Sequence, residues 1–360
     1  MYEKVRTLLS FAGNIAKEKE PEKLIPMLAD LAKNMLDVDR CSLFVYDEQS
    51  KKLYTIVAHG GVRIEVDADK GIVGESFRTG ETLVVNDAYA HPKFNKEVDL
   101  STGYRTRNIL ASPLIDSKGK VIGVFQAINK LKGEFKEEDV EFLTLLSVYA
   151  SDSLEASMLY KKLREAYEET ITRLSYAAEY KDPETYNHII RIGLISSFIA
   201  ERLGFDKDYC YNLKLAAPMH DIGKIGIPDS ILLKKGKLEG EEWEIMKKHT
   251  IIGYEILKDS SSELLQMAAR IALEHHEKYD GTGYPYGKRG EEISPEARIT
   301  AIADIFDALT SERPYKPAWS VEETLKYMKS IAGSHIDPRI FNVLLENIDE
   351  ILKIKEKYRD

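Results

Sequence analysis

The sequence contains few cysteines, no long hydrophobic run and no excess of basic residues. Its two cysteines, Cys41 and Cys210, lie far apart and outside any CxxC spacing. Neither a disulfide framework nor a thiolate metal site is therefore indicated, and a reducing compartment is expected. No apolar run approaches the roughly 18 residues that span a bilayer, and the charged start MYEKVRTLLSFAGNIAKEKE is not typical of a secretory signal. These absences predict a cytoplasmic protein with no membrane association.

The charge balance argues against one class of partner. The 360 residues include 51 Lys and Arg against 60 Asp and Glu, which gives a formal net charge of −9. A protein that binds nucleic acid polymers non-specifically neutralises many phosphates with basic side chains, so such binding is not expected here. A small anionic ligand is compatible with this charge.

Length and composition indicate two folded domains. A chain of 360 residues, 43% of them hydrophobic, exceeds the size at which one core stops growing. Between residues 41 and 130, apolar or alternating segments separated by the turn-forming DEQSKK and DSKGK predict strands. The segments are CSLFVYDE, KLYTIVAHG, TLVVND, NILASPLID and VIGVFQAINK. The helical patterns PEKLIPMLADLAKNML before them and EEDVEFLTLLSVYASDSLEAS after them complete an α+β domain.

An apolar residue recurs at spacings of three and four between residues 142 and 177. Such a seam is compatible with a long helix packed on its own domain and with a parallel coiled coil that joins two protomers. In either case it predicts a stiff helical connector, and the coiled coil would make the protein a homodimer. The seam, in which only Ser153 and Thr170 are imperfect, consists of Phe142, Leu146, Tyr149, Ser153, Ala156, Tyr160, Leu163, Tyr167, Thr170, Leu174 and Ala177.

Beyond residue 182 the pattern is almost entirely helical, which predicts a helical bundle. Six of the eight histidines lie there. His220 and Asp221 are adjacent polar residues inside the apolar run AAPMHDIGKIGIPD, where burial without a partner would be costly. A metal ion is a suitable partner, and a carboxylate beside an imidazole suits Fe, Mn or Zn better than Ca or Mg. Lys224, three residues later, is expected near the same face, where it offers a cation to a phosphate.

Further candidate ligands are spread along the bundle. Glu184 and His188 are four residues apart, which puts them on one face of a helix, although such a pair is more often an exposed helix pair. Together these candidates exceed what one ion needs, whereas two or three closely spaced ions with shared carboxylates could use them all. Such centres are the usual apparatus for phosphoester hydrolysis. The remaining candidates are His249, the doublet His275 and His276, and Asp304.

Two nearby segments suit a phosphorylated ligand. Gly281, Gly283 and Pro285 follow the histidine doublet, and their loop allows positive φ and close backbone approach to a ligand. A plain turn between helices would use the same residues. Arg313 and Lys316, in SERPYK, could clamp phosphate or guanine, or could be solvated surface cations.

In this order the motifs resemble the HD-GYP branch of the HD phosphohydrolases. HDIGK is followed by HHEKYDGTGYP, ARITAIADIFDALTSERPYK and GSHIDP, over roughly residues 165–345. The resemblance implies an all-α, metal-dependent phosphodiesterase that hydrolyses cyclic di-GMP to pGpG and on to GMP. It implies two or three iron ions per chain, with manganese as the alternative, and Glu184 and His188 as ligands of the third ion. The implied ligands of the first two ions, bridged by Asp221, are His220, Asp221, His249, His275, His276 and Asp304.

The resemblance also implies which residues serve the substrate. Asp221 and Lys224 are the expected catalytic residues, and Asp307 is expected to support the Asp304 helix rather than to bind metal. The expected contacts to substrate are Lys224, Gly283, Tyr284, Arg313 and Lys316.

The amino-terminal half resembles a GAF domain, the small-molecule sensor module often fused to such hydrolases. VVNDAYAHPKFNKEVD, followed by Asn129, Lys130, Phe135 and Asp139, resembles the motif of the phosphodiesterase-type GAF subgroup. That subgroup usually ends the motif with Glu, where this sequence has Val140. The resemblance implies that Lys130 pairs with Asp139, and that the domain either binds an unknown small molecule or serves only as a dimerisation platform.

The predicted architecture is thus an α+β GAF-like sensor domain, an antiparallel sheet with flanking helices, over residues 20–153. A helical or coiled-coil linker over 154–166 joins it to an all-α HD-GYP phosphohydrolase bundle over 167–360. Three alternatives stay open: another cyclic dinucleotide or nucleotide phosphoester as substrate, a di-iron oxygenase, and a non-catalytic cyclic di-GMP receptor. The DGTGYP loop and the RPYK cations argue against the oxygenase, and the complete ligand set argues against the receptor.

Overall fold

The structure, a computed structural model, describes residues 21–58, 64–180, 185–312 and 317–360. The chain divides into two compact units between Arg164 and Glu165. The boundary falls inside one continuous helix, and the predicted linker, residues 154–166, is part of that helix. Within the described ranges, no helix combines the length and the hydrophobicity that a membrane span requires.

The first unit is built on a six-stranded antiparallel sheet with the strand order β3-β2-β1-β6-β5-β4. All five predicted strand segments form strands. The short strand β3 was not predicted, because three residues are too few to show an alternating pattern and its pairing with β2 defines it. The strands are β1 (Val38–Asp47), β2 (Lys52–Ala58), β3 (Glu65–Asp67), β4 (Leu83–Val85), β5 (Ile109–Ile115) and β6 (Val121–Lys130).

In the described residues, this sheet is flanked by the start of a long helix, described below, and by α1 (Pro21–Leu36), α2 (Gly71–Thr79) and α3 (Lys96–Thr102). Helix α1 coincides with the predicted PEKLIPMLADLAKNML segment. Its apolar residues at spacings of three and four, Ile25, Leu28 and Ala32, are buried in one core with Leu43 and Phe125 of the sheet. The sheet and its helices confirm the predicted GAF-like α+β fold.

The GAF motif residues hold loops together. Lys130 Nζ lies 2.6 Å from Asp139 Oδ2, which confirms the predicted pairing. The amide of Phe135 donates to Asn86 Oδ1 at 3.0 Å. Asn129 has a positive φ of 58°, and its side-chain oxygen accepts a 2.6 Å hydrogen bond from the amide of Arg107. These contacts indicate that the motif residues have a structural role, because they hold loops of the domain together.

Helix α4 (Glu137–Glu179) is 43 residues long and continues through the boundary between the units. The predicted seam divides along it. Phe142 and Leu146 are buried in the core of the first unit, as a helix packed on its own domain requires. Leu163 and Leu174 are exposed, by 69% and 60%. An exposed apolar stripe therefore occupies the later part of the helix.

The second unit is a helical bundle, as predicted. Polar N-caps mark several helix starts: Thr185, Asp206 and Ser320 each accept a hydrogen bond from a backbone amide of the first turn. Its helices are α5 (Tyr186–Arg202), α6 (Lys207–Ala216), α7 (Asp229–Leu232), α8 (Glu241–Lys247), α9 (His249–Leu257), α10 (Glu263–Glu274), α11 (Pro295–Thr310), α12 (Val321–Ile331), α13 (Pro338–Glu346) and α14 (Ile348–Lys357).

Candidate metal centre

The HDIGK segment lies in tight turns rather than in an α-helix. Asp221 separates two short 3₁₀ helices, Ala217–Met219 and Ile222–Gly226. Residues three apart nearly eclipse in 3₁₀ geometry, and Lys224 Nζ accordingly lies 2.7 Å from Asp221 Oδ2. The expectation that Lys224 shares the face of Asp221 is thus met, although by a different helix type.

Gly223 brings helix α9 against this turn. A Cβ atom on Gly223 would lie 1.9 Å from the carbonyl oxygen of His249 and 2.4 Å from the amide nitrogen of Gly253. Only glycine permits so close a backbone approach. The crossing places His249, at the start of α9, next to Asp221, which neither residue's position in the sequence reveals.

Asp221 lies at the centre of a ring of imidazoles. Its Oδ1 is 3.3 Å from His249 Nε2 and 3.5 Å from His275 Nε2, and its Oδ2 is 3.4 Å from His220 Nε2. Ligand atoms of Asp221, His249, His275 and His276 all lie within 4.8 Å of one another. Four side chains from three separate segments of the chain therefore converge on one small volume.

Two further clusters adjoin the first. Ligand atoms of His188, His220 and Asp304 lie within 4.8 Å of one another, with His188 Nε2 at 3.8 Å from Asp304 Oδ1. Glu179, at the end of α4, forms a third cluster with His220 and Asp221. The sequence analysis missed Glu179; its only signal is an acidic residue after the small apolar residues of SYAAE, at the end of a helix.

Backbone carbonyls orient three of the imidazoles. The Nδ1 atoms of His220, His249 and His275 lie 3.0, 2.7 and 3.0 Å from the carbonyl oxygens of Ala217, Met246 and Ile271. A carbonyl oxygen only accepts hydrogen bonds, so each Nδ1 carries the proton and donates it. Each Nε2 is then an acceptor turned towards the cluster, which is the form that binds metal.

A buried carboxylate orients His188 instead. His188 Nδ1 donates to Asp307 Oδ2 at 2.8 Å, and Asp307 also accepts from Arg191 Nε and Lys355 Nζ, both at 2.7 Å. Burial acts to raise the pKa of Asp307, but the hydrogen bonds from His188 and Arg191 lower it well below its usual value. Asp307 therefore orients His188, a candidate ligand, and pairs with Arg191 and Lys355, in addition to the predicted role of supporting the Asp304 helix.

Burial keeps three of the imidazoles neutral. It lowers the pKa of His249 to about 4 and also lowers the pKa values of His220 and His276. Burial opposes ionisation of Asp221, yet Lys224 and the neighbouring imidazoles lower the pKa of Asp221 well below its usual value. Neutral imidazoles around an ionised carboxylate are the protonation states that metal binding requires.

The donor set fits a metal ion. Asp221 Oδ1, His249 Nε2 and His275 Nε2 are fully buried and have no hydrogen-bond partner in the described part of the chain. Burying such atoms unsatisfied is costly, and one cation would satisfy all three. Imidazole and carboxylate donors together suit first-row transition metals better than Ca or Mg.

The loop after the histidine doublet packs on this centre. The ring of Tyr284 stacks on His276 with centroids 4.8 Å apart. A Cβ on Gly283 would lie 2.2 Å from the amide nitrogen of Lys278, so this glycine is required by the loop's own backbone. Gly281 has a positive φ of 84°. At Gly283, the structure therefore shows a close approach between two backbone segments of the loop itself.

Most of the predicted site residues converge on this centre. The seven candidate ligands in the described ranges all belong to the clusters, and Lys224, Gly283 and Tyr284 lie at the centre or in its loop. Three predicted residues lie outside the described residues: Glu184, Arg313 and Lys316.

Comparison with known protein families covers both units. The model of the HD domain matches residues 172–340, and the model of the GAF domain matches residues 20–154. The chain joins a GAF domain to an HD domain. Both predicted resemblances are thereby confirmed. The HD domain implies a divalent-metal site, and the three clusters lie within its matched residues.

Curated relatives of the chain are phosphodiesterases by name. The cyclic di-GMP phosphodiesterase response regulator RpfG of Xanthomonas campestris pv. campestris is 45% identical over 204 residues, 56% of this chain and 54% of its own length. A cyclic di-GMP phosphodiesterase of Thermotoga maritima is 45% identical over 192 residues, 53% and 52%. The 3′3′-cGAMP-specific phosphodiesterase 2 of Vibrio cholerae is 40% identical over 227 residues, 63% and 44%. The chain thus spans about half the length of these relatives.

Proposed function

We propose that this protein hydrolyses cyclic di-GMP to pGpG, and on to GMP, at a centre of two or three metal ions in its HD domain. The observation that carries the proposal is the set of three overlapping clusters, in which His220 and Asp221 are each shared by two. Shared ligands hold ions close together, and closely spaced ions are suited to phosphoester hydrolysis. The names of two relatives support cyclic di-GMP as the substrate.

The proposed ions supply a nucleophile at neutral pH and stabilise the negative charge of the reacting phosphate. The chain's own residues bind the ions, bind the substrate and exclude water. Lys224, 2.7 Å from Asp221, is placed to bind a phosphate oxygen and to donate a proton to the departing ribose 3′ oxygen. The ring of Tyr284 covers the proposed centre on the side of His276. The proposed substrate contacts are Lys224, Gly283, Tyr284, Arg313 and Lys316.

Iron is the proposed metal, with manganese as the alternative. Five imidazoles and two aspartates occur in the clusters beside Glu179, and a nitrogen-rich set of this kind favours Fe or Mn over ions that prefer all-oxygen ligands. The proposed ligands are Glu184, His188, His220, Asp221, His249, His275, His276 and Asp304.

The proposed function is tested by metal analysis of anaerobically purified protein together with chromatography of its products from cyclic di-GMP under reducing conditions. Two or three ions per chain and the appearance of pGpG or GMP support the proposal. A metal-loaded protein that leaves cyclic di-GMP intact contradicts it. The name of the Vibrio cholerae relative favours 3′3′-cGAMP as a second candidate substrate, and turnover of an equimolar mixture of the two dinucleotides distinguishes the candidates.

Glu184→Ala is expected to lower the metal content by about one ion per chain and to leave the other ions bound, because Glu184 is a proposed ligand of the third ion only. Metal analysis of the purified variant measures this. Glu201→Ala, which removes an exposed carboxylate at the end of α5, is the matched control and should keep the full metal content. An unchanged metal content in Glu184→Ala would remove Glu184 from the ligand set.

The proposal includes a sensor region, residues 20–153, whose GAF domain binds a small molecule, and a phosphohydrolase region, residues 167–360, joined through the helical residues 154–166. It also includes a homodimer in a cytoplasmic, reducing compartment, where the free cysteines Cys41 and Cys210 stay reduced. The exposed apolar stripe of α4 supports the dimer. Buried against a second copy, Leu159, Leu163 and Leu174 would lose contact with water.

Leu163→Glu is expected to convert the proposed dimer into monomers, since it places a charge in the apolar stripe of α4. Light scattering coupled to gel filtration measures the mass of the particle. Glu165→Gln changes an exposed charge about half a helical turn away and should leave the mass at twice that of the chain. A wild-type protein that elutes as a monomer contradicts the prediction.

A further inference from the structure

Glu179 has a buried carboxylate beside the proposed metal ligands, and the proposed function assigns it no role. It is the last residue of α4, and its side chain is 1% exposed. One of its carboxylate oxygens and the ligand atoms of His220 and Asp221 lie within 4.8 Å of one another. All three residues are buried, so this cluster is shielded from water.

The Glu179 cluster links the other two. It shares Asp221 with the group that contains His249, His275 and His276, and it shares His220 with the group that contains His188 and Asp304. The carbonyl of Ala217 holds Nδ1 of His220, which leaves Nε2 facing the cluster. The Glu179 cluster therefore contains one nitrogen donor and two carboxylates.

The charges of this cluster favour a cation. A buried, low-dielectric site strengthens the attraction between a carboxylate and a cation, because it screens charges poorly. Lys224 lies beside Asp221 Oδ2, whereas Asp221 Oδ1 is buried and has no hydrogen-bond partner among the described residues. A divalent ion would satisfy that oxygen and would be attracted to both carboxylates.

The spacing of the cluster is also close to that of a coordination sphere. Transition-metal ligands lie about 2.0–2.2 Å from the ion, so two ligand atoms on opposite sides are separated by about 4.0–4.4 Å. Three atoms cannot all be opposite one another, and three atoms spread evenly around an ion are about 3.5–3.8 Å apart. The ligand atoms of the cluster, all within 4.8 Å of one another, reach this range through small movements of their side chains. Nitrogen and carboxylate donors in this ratio suit Mn²⁺ and Fe²⁺.

We propose that Glu179 is a metal ligand and that it holds, together with His220 and Asp221, a distinct ion of the centre. This inference deepens the proposed function and rests on it for the presence of the other ions. It assigns the end of α4 a direct part in building the centre, which the sequence analysis derived entirely from residues 184 to 304.

Metal counting on Glu179→Gln tests the inference without any activity measurement. Metal-free protein is titrated with Mn²⁺, and the free ion is followed by electron paramagnetic resonance to count the tight sites. Glu179→Gln is expected to bind one ion fewer per chain than the wild type. The matched control is Glu296→Gln, which makes the same change at a carboxylate that is 2% exposed and is held by Tyr209 and Arg270. It should bind as many ions as the wild type.

A structural measurement on the wild type covers the case in which Glu179→Gln does not fold. In crystals of the Mn²⁺-loaded protein, anomalous scattering locates the ions. A Glu179 oxygen within about 2.3 Å of an ion supports the inference. A Glu179 carboxylate separated from every ion by a water molecule or by protein atoms overturns it, as does a folded Glu179→Gln variant with the wild-type number of tight sites.

The outcomes separate this inference from the proposed function. If the wild type binds its ions and leaves cyclic di-GMP intact, the proposed function fails and the count for Glu179→Gln still decides the role of Glu179. If the wild type hydrolyses cyclic di-GMP and Glu179→Gln keeps every ion, the inference alone fails.

Discussion

Asp221→Asn is expected to remove most of the metal from the proposed centre and to lower the rate of the proposed cyclic di-GMP hydrolysis by about three orders of magnitude. Asp221 belongs to two of the three clusters, and its two oxygens face His220, His249 and His275. The amide keeps the shape of the side chain but removes the negative charge that holds the cations. Metal ions contribute several kcal/mol to hydrolysis, and about 4 kcal/mol corresponds to a thousandfold in rate.

Metal analysis and product chromatography measure the two effects of Asp221→Asn. Asp206→Asn is the matched control, because Asp206 caps helix α6 at an exposed position and Asn caps helices equally well. That variant should keep its metal and its activity. A folded Asp221→Asn protein that retains the full metal content would remove Asp221 from the proposed ligand set.

Asp307→Asn is expected to destabilise the HD domain and to weaken metal binding together. Asp307 is fully buried and accepts hydrogen bonds from Arg191, Lys355 and His188. Removing its charge leaves the buried guanidinium of Arg191 with the partly exposed Asp360, 3.0 Å away, as its remaining anionic partner in the described residues. We therefore expect a loss of about 3 kcal/mol of unfolding free energy, the lower end for a broken buried ion pair. It also releases Nδ1 of His188, and loss of such a support weakens metal binding by about 10- to 100-fold.

Urea unfolding of the metal-free protein measures the first effect of Asp307→Asn, and metal titration at a temperature where the variant is folded measures the second. Asp337→Asn is the matched control: Asp337 is equally buried and pairs with Arg298 at 2.6 Å, but it belongs to none of the clusters of the described residues. It should lower stability without changing metal affinity. Equal metal affinity in both variants would mean that Asp307 does not hold His188 in its binding orientation.

The HDIGK segment shows which structural features the local sequence predicts and which it does not. Polar residues within an apolar run predicted burial and a need for a partner, and a spacing of three predicted that Lys224 approaches Asp221. Whether that spacing arises from an α-helix or from 3₁₀ turns was not decided locally. The crossing of α9 over Gly223 restricts this backbone, and such contacts between distant segments do not appear in a local pattern.

The seam along α4 shows the same limit. Its apolar spacing predicted a long helix, and the helix from Glu137 to Glu179 is present. The spacing did not reveal that Phe142 and Leu146 pack in the first unit while Leu163 and Leu174 are exposed. The spacing of apolar residues predicts that a helix has an apolar face. It does not predict what packs against that face, because this depends on the rest of the fold.

The sequence by itself determined both domain families, the strands of the sheet except β3, and seven of the clustered candidate ligands, because each leaves a residue pattern within a short segment. Only the tertiary structure decided how the candidate ligands group around Asp221, that Asp307 contacts His188, and that Glu179 lies beside His220 and Asp221. The physical reason is that these contacts join residues tens of positions apart. Their geometry follows from helix packing, which no single segment encodes.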